Sequence, residues 1–355
     1  NFKLFAYILL TCILGSACQP GVSDEPTETV NLNIRVALSE MSSQAMSRAW
    51  GDDLTDADLQ EWQNPTAAEK MHTLRIVILH PDNTVEYNRF LDFGSNAYLE
   101  YGFEQFKVTM NERKKLYLFV NENAQHVSAE GLKTNVVNFL FNQYVPGTKF
   151  PVEDMANLQI NLQGDGTSLP APLPMSEDYE VEVGTQDLIG TYYVTRAATK
   201  FTYILYNNTN IDYQWEGLTL DKMARIEYYL PKNVTYDGNG VITAYDVPTI
   251  ETNNYYQYIQ TFSKELPAHG ECQLDPFYLL EGKWKDEASE GKNYKTSITL
   301  SGQELSSYLP ELPELPRNTH VVVRIQINSV LEGDIDLTVD VRPYGEVFLE
   351  PEFGI

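Results

Sequence analysis

Three cysteines in 355 residues leave little room for disulfide chemistry. Cys12 and Cys18 fall near the start and Cys272 stands alone in the rest, so core burial must hold the fold. Basic residues are also scarce, with 25 Lys and Arg against 50 Asp and Glu and a formal net charge of −25. Nucleic acid binding needs clustered Lys and Arg to displace counterions, and this balance argues against it. Only five histidines are present, and His72, His80, His126, His269 and His320 show neither His-x-x-x-His nor His-Glu-x-x-His spacing. A zinc site would have to converge from distant strands. Gly164-Asp165-Gly166-Thr167-Ser168 lacks the lysine of a phosphate loop, and no Gly-x-Ser-x-Gly elbow occurs. The acidic run from Asp52 to Asp58 lacks the ligand order of a calcium loop and reads as solvated. Cys272 follows Glu271 and has no nearby cation to activate it, which suits an inert thiol. These absences predict a chain that is not an enzyme and holds no cofactor or metal.

One long apolar run exists, and it lies at the start. Lys3, the run Leu4 to Leu14 and the small residues Gly15-Ser16-Ala17 before Cys18 predict a lipoprotein signal over residues 1–17, with Cys18 as the lipidated mature N-terminus. The run is too short to span a bilayer as a helix. Without residues 1–17 the balance is 24 basic to 50 acidic side chains. Residues 18–29 read as an acidic tether carrying Asp24 and Glu25.

Tyr is abundant at 23 residues and Phe adds 15, a composition that favours strands. The dominant period is two. Val30, Leu32, Ile34, Val36 and Leu38 alternate with Asn31, Asn33, Arg35 and Ala37, which predicts a half-buried strand followed by a long polar loop. Further strands are expected at 74–79, at 84–90 after the Pro81-Asp82-Asn83 turn, and at 115–121. A short helix is expected within 129–141. A Gly/Pro/Ser-rich stretch at 163–176 predicts a boundary, because Pro cannot donate to a ladder. Beyond it, 192–194, 200–205, 226–230, 294–300, 321–327 and 335–341 read as strands, and Asp237-Gly238-Asn239-Gly240 as a hairpin turn. The expectation is an all-β chain of two tandem β-sandwich domains of transthyretin-like or Greek-key type, with few short helices, at 30–170 and 171–355.

Four phrases in order resemble the fimbrillins of Bacteroidales type V pili. They are Thr73 to Leu79 with its turn, Leu173-Pro174-Met175-Ser176, Thr195 to Phe201, and Pro316-Arg317-Asn318-Thr319 before a Val-rich strand. The resemblance implies tandem β-sandwiches, export as an outer-membrane lipoprotein, cleavage by a trypsin-like protease, and polymerisation with other copies or related pilins into an adhesive surface fibre. Arg48-Ala49 is the expected cleavage site, in a Ser-rich loop after the first strand. Losing Val30 to Leu38 would strip five apolar side chains from a core, roughly 8 to 15 kcal/mol as an upper bound. Ile335, Leu337, Val339 and Val341, with Val347 and Leu349 beyond, form an alternating C-terminal segment able to fill such a groove in a neighbouring copy. Alternatively, both terminal segments are ordinary edge strands of their own domains. The competing functions are a surface glycan-binding lipoprotein stacking sugars on Tyr255, Tyr256, Tyr258, Trp215 and Trp284, and an anchor or tip accessory pilin in place of a stalk subunit.

Overall fold

A computed structural model describes residues 28–41, 65–124, 127–128, 141–162, 168–169, 172–250, 255–284, 294–309, 314–330 and 334–343. Among them the fold is all-β, of sandwich type. The helical pieces are a 3-10 turn at Ala67–Glu69, residues 141–142, and α1 at Val152–Ala156.

Seven strands make the first sheet: β1 (Thr29–Leu38), β2 (Thr73–Leu79), β3 (Val85–Asp92), β4 (Glu100–Thr109), β5 (Glu112–Val120), β6 (Met175–Val183) and β7 (Leu188–Arg196). Their spatial order is β3-β2-β5-β6-β7-β1-β4. Every residue of β2 is buried, the polar Thr73 and Arg75 included, and Arg75 is accommodated by Glu122 at 2.7 Å. The turn into β3 places Asn83 in the left-handed region that Asn tolerates.

In the second half, β8 (Thr199–Asn207), β9 (Tyr213–Ala224), β10 (Tyr255–Leu266), β11 (Lys295–Leu300), β12 (Gln303–Tyr308), β13 (Thr319–Ser329) and β14 (Asp334–Pro343) form two main sheets. One runs from Glu271–Gln273 through β8 and β13 to β14, and the other is ordered β10-β9-β11-β12. The pairs β1 with β7 and β8 with β13 are parallel.

The Gly/Pro/Ser stretch does not separate the sheets as expected. Pairing resumes at Met175, and β6 and β7 complete the first sheet, so the chain passes to the second half at Ala197-Ala198. Pro172 and Pro174 stand just ahead of β6 and interrupt the ladder only locally. The segment 226–230 is a strand only at Ile226–Tyr228. Of the helix expected within 129–141, residues 129–140 lie outside the described residues, and Phe141, with Asn142 after it, is helical. At the Asp237–Gly240 turn, Gly240 has φ +79, and a Cβ there would meet the Tyr193 ring at 2.2 Å. Only glycine fits.

Candidate functional site

The first strand is the feature on which function turns. In β1, Val30, Leu32, Ile34, Val36 and Leu38 are all buried in the core. Between them Asn31, Asn33 and Arg35 are partly exposed. Asn31 donates through its backbone and side-chain amides to Asp187, each at 2.8 Å, and these bonds hold that carboxyl below its usual range. Arg35 pairs with Glu100 at 3.0 Å.

β1 is an interior strand. It runs parallel to β7 from Leu32↔Leu188 to Leu38↔Val194, and antiparallel to β4 from Thr29↔Thr109 to Ala37↔Glu100. Removing it would break two ladders and open an apolar slot between two strands that do not otherwise pair. An edge strand would leave no such slot.

The far end of β1 is anchored in a buried polar joint between the halves of the chain. Ser39 donates its backbone N–H to the Val194 carbonyl at 2.9 Å. Its hydroxyl lies 2.9 Å from that of Thr195, and its carbonyl accepts from the Asn318 amide at 3.0 Å. Asn318 in turn accepts from Arg196 at 2.9 Å. Arg196 Nε donates to the Glu69 carbonyl at 3.1 Å, while the buried Glu69 carboxylate takes Lys200 at 2.8 Å and the Tyr278 hydroxyl at 2.9 Å. Glu40 and Met41 then pair with Val241 and Ile242 in the second half. The four phrases that resemble fimbrillins therefore border or build one joint. Asn121, just after β5, donates to the Leu173 carbonyl at 2.7 Å, Ala197 to that of Pro174 at 2.9 Å, and Asn318 to that of Ala198 at 2.8 Å.

A second buried thread reaches the same point. Glu177 accepts from the Tyr236 hydroxyl, which lies 2.7 Å from the Thr195 hydroxyl and so adjoins Ser39. Burial raises the Glu177 carboxyl to about 8 against the opposing Tyr236 hydrogen bond. Glu227 is likewise raised to about 8 by burial, with Arg317 opposing. A raised carboxyl keeps its proton in the fold after the unfolded chain has released its own. Stability is therefore full below pH about 4.5, falls as pH rises toward 8, and is level above. The thermal midpoint is expected to be higher at pH 5 than at pH 8, by a stability difference of a few kcal/mol. Glu177→Gln should remove about half of that slope and leave the Glu227 share. An unchanged slope in the variant would contradict the assignment.

Ile335, Leu337, Val339 and Val341 lie in β14, which pairs antiparallel with β13 from Ser329↔Asp334 to Thr319↔Pro343. Ile335 and Leu337 are half-buried against the core. β14 is thus an edge strand of its own sheet, attached on one side among the described residues. Cys18, Arg48, Ala49, Val347 and Leu349 lie outside the described residues.

Three of the five aromatic residues of the expected sugar platform are turned into the core, Tyr255 is partly exposed, and the Trp284 side chain lies outside the described residues. Trp215, Tyr256 and Tyr258 are buried, because alternate residues of β9 and β10 face the core, and Tyr258 stacks on Phe277 at 4.5 Å. Cys272 is half-buried, and burial raises its thiol. Ser39, Asn318, Glu69 and Glu177 are site residues that hydrophobic patterning does not mark. Only Ser39, which ends the apolar run of β1, stands out in its surroundings; Glu69, Glu177 and Asn318 sit among other polar residues.

No family model matches the chain, and no curated protein matches its sequence. Solved structures do match its fold. A candidate cell adhesion protein from Parabacteroides distasonis superposes with a TM-score of 0.54 at 12% identity, covering 91% of this chain and 99% of its own. The tip fimbrial protein Mfa3 from Porphyromonas gingivalis, with a C-terminal truncation, superposes with a TM-score of 0.51 at 12% identity, covering 89% and 99%. The class so defined is an all-β, sandwich-type chain sharing its fold, over nearly the whole length, with an adhesion candidate and a fimbrial tip protein.

Proposed function

We propose that this chain is a fimbrial subunit of the cell surface that supports adhesion and polymerises by strand exchange. The observation that carries the reading is β1, an interior strand with five buried apolar side chains, followed by a long polar stretch of sequence after Met41. In this reading the precursor is exported as a lipoprotein held at the outer membrane through Cys18. A trypsin-like protease cuts at Arg48-Ala49, the strand leaves, and the C-terminal segment of another copy or a related pilin enters the slot. The similarity in fold to Mfa3 and to the adhesion candidate supports the fimbrial role.

Such a contact is head-to-tail and does not close, so it builds a filament. The segment bearing Val347 and Leu349 is the donor that requires least rearrangement, since it follows the paired part of β14. Donation by Ile335 to Val341 would also demand release of the β14 ladder, which is held on one side only.

Sequencing the N-terminus of the surface form tests the maturation step. Wild type should begin at Ala49, and Arg48→Ala should accumulate an uncut, lipid-bearing precursor beginning at Cys18. A variant that is still cut near this position and assembles normally would move the site elsewhere.

A further inference from the structure

At the far end of the second half, the loop after β8, the turn between β11 and β12 and the end of β13 enclose a cavity of about 560 Å³. This volume lies within the usual range of ligand sites. β8 and β13 begin beside the Ser39 joint and run parallel, so eight residue steps put the cavity about 27 Å from it.

The lining is unusual for this chain. With 50 acidic side chains in the sequence, none of the described residues lining this cavity is Asp, Glu, Lys, Arg or His, although Asp336 and His269 stand just behind the lining, bonded to Asn328 and Asn210. Amides and hydroxyls take their place, notably Asn208, Asn210, Gln303 and Asn328. These amides are held in position. Asn208 donates to Asn328 at 3.2 Å, Asn328 to Asp336 at 3.0 Å, and Gln303 to the Val330 carbonyl at 2.6 Å, while the Asn210 oxygen lies 2.8 Å from His269 Nε2. The side-chain oxygens of Asn208 and Gln303 accept no hydrogen bond from the described residues. Ile211, 59% exposed, and the half-buried Tyr213 add apolar surface.

We propose that this cavity binds a neutral saccharide. Fixed amides match hydroxyls that both donate and accept, an apolar side chain and a ring match the C–H face of a sugar, and a described lining without ionisable side chains matches an uncharged ligand. The site is separate from the β1 groove, so it does not depend on strand exchange.

The test is an array of neutral and sialylated oligosaccharides probed with the full chain, followed by calorimetry with the tightest neutral binder. Wild type should bind a neutral glycan, and Asn208→Ala/Asn328→Ala should weaken it about tenfold or more, the equivalent of losing one or two hydrogen bonds. Asn210→Ala/Ile211→Ala, two exposed loop positions, should weaken it with no change in thermal midpoint. Several results would overturn the proposal. They are no neutral glycan bound, preference for sialylated ligands, or unchanged binding in both variants. Shortened filaments in variants of a protein that binds no glycan would assign the cavity to contact with another copy instead.

Discussion

Ile34→Asp is expected to unfold the precursor or come close to it. Ile34 is fully buried at the centre of β1, paired with Gly190 on one side and Glu104 on the other. The substitution loses the packing of an isoleucine, about 2 to 5 kcal/mol. It also places an unpaired carboxylate in the core, at a further cost of several kcal/mol. The sum rivals the whole stability of a typical domain, about 5 to 15 kcal/mol. Asn33→Ser, one residue away on the partly exposed side, should cost about 1 kcal/mol or less, since it loses bonds to Leu188 and Gln105 at the surface. Urea denaturation of the two purified variants checks the contrast. Equal, small shifts in midpoint would mean that β1 does not fill a groove.

The same burial makes strand exchange energetically reasonable. A vacated slot of five apolar pockets, with two strand edges bared, gains from any strand that presents alternating apolar side chains. The strand that leaves also carries Ser39, which bonds Asn318, and Glu40–Met41, which pair with the second half. Release of β1 therefore removes contacts across the joint as well as core from the first sheet.

Much of this is legible in the sequence because β1, β2 and β13 follow simple hydrophobic patterns. The alternation of Val30 to Leu38 marks five core positions of that strand, and all five are buried; Ala37, on the opposite face, is buried as well and escapes the pattern. Other strands obey the same physics under disguise. β9 carries bulges between Trp215 and Gly217 and between Leu220 and Met223, with Lys222 at φ +60, and each slip breaks the period of two. β6 hides a core position behind a charge, since Glu177 is buried and satisfied by Tyr236. Proline-rich sequence misleads about the passage between halves because it marks an interruption in pairing, and pairing here resumes in the same sheet. The joint is invisible to patterning because its members come from residues 39, 69, 196, 200 and 318, joined only by folding.

Removing the tail is expected to abolish polymerisation while leaving the subunit folded. Gly345 to Ile355 follow β14, whose ladder with β13 ends at Pro343, so their loss leaves every described strand in place. Leu349→Asp should have nearly the same effect, because an ionised carboxylate cannot enter an apolar pocket unpaired without a penalty of several kcal/mol. Thermal midpoints of both variants before cleavage should match wild type.

Negative-stain microscopy of purified subunits cleaved after Arg48 tests the central claim most directly. The account predicts long filaments from wild type, and only folded single particles from the chain lacking Gly345 to Ile355. Filaments of ordinary length from the truncated protein would contradict strand donation by this tail.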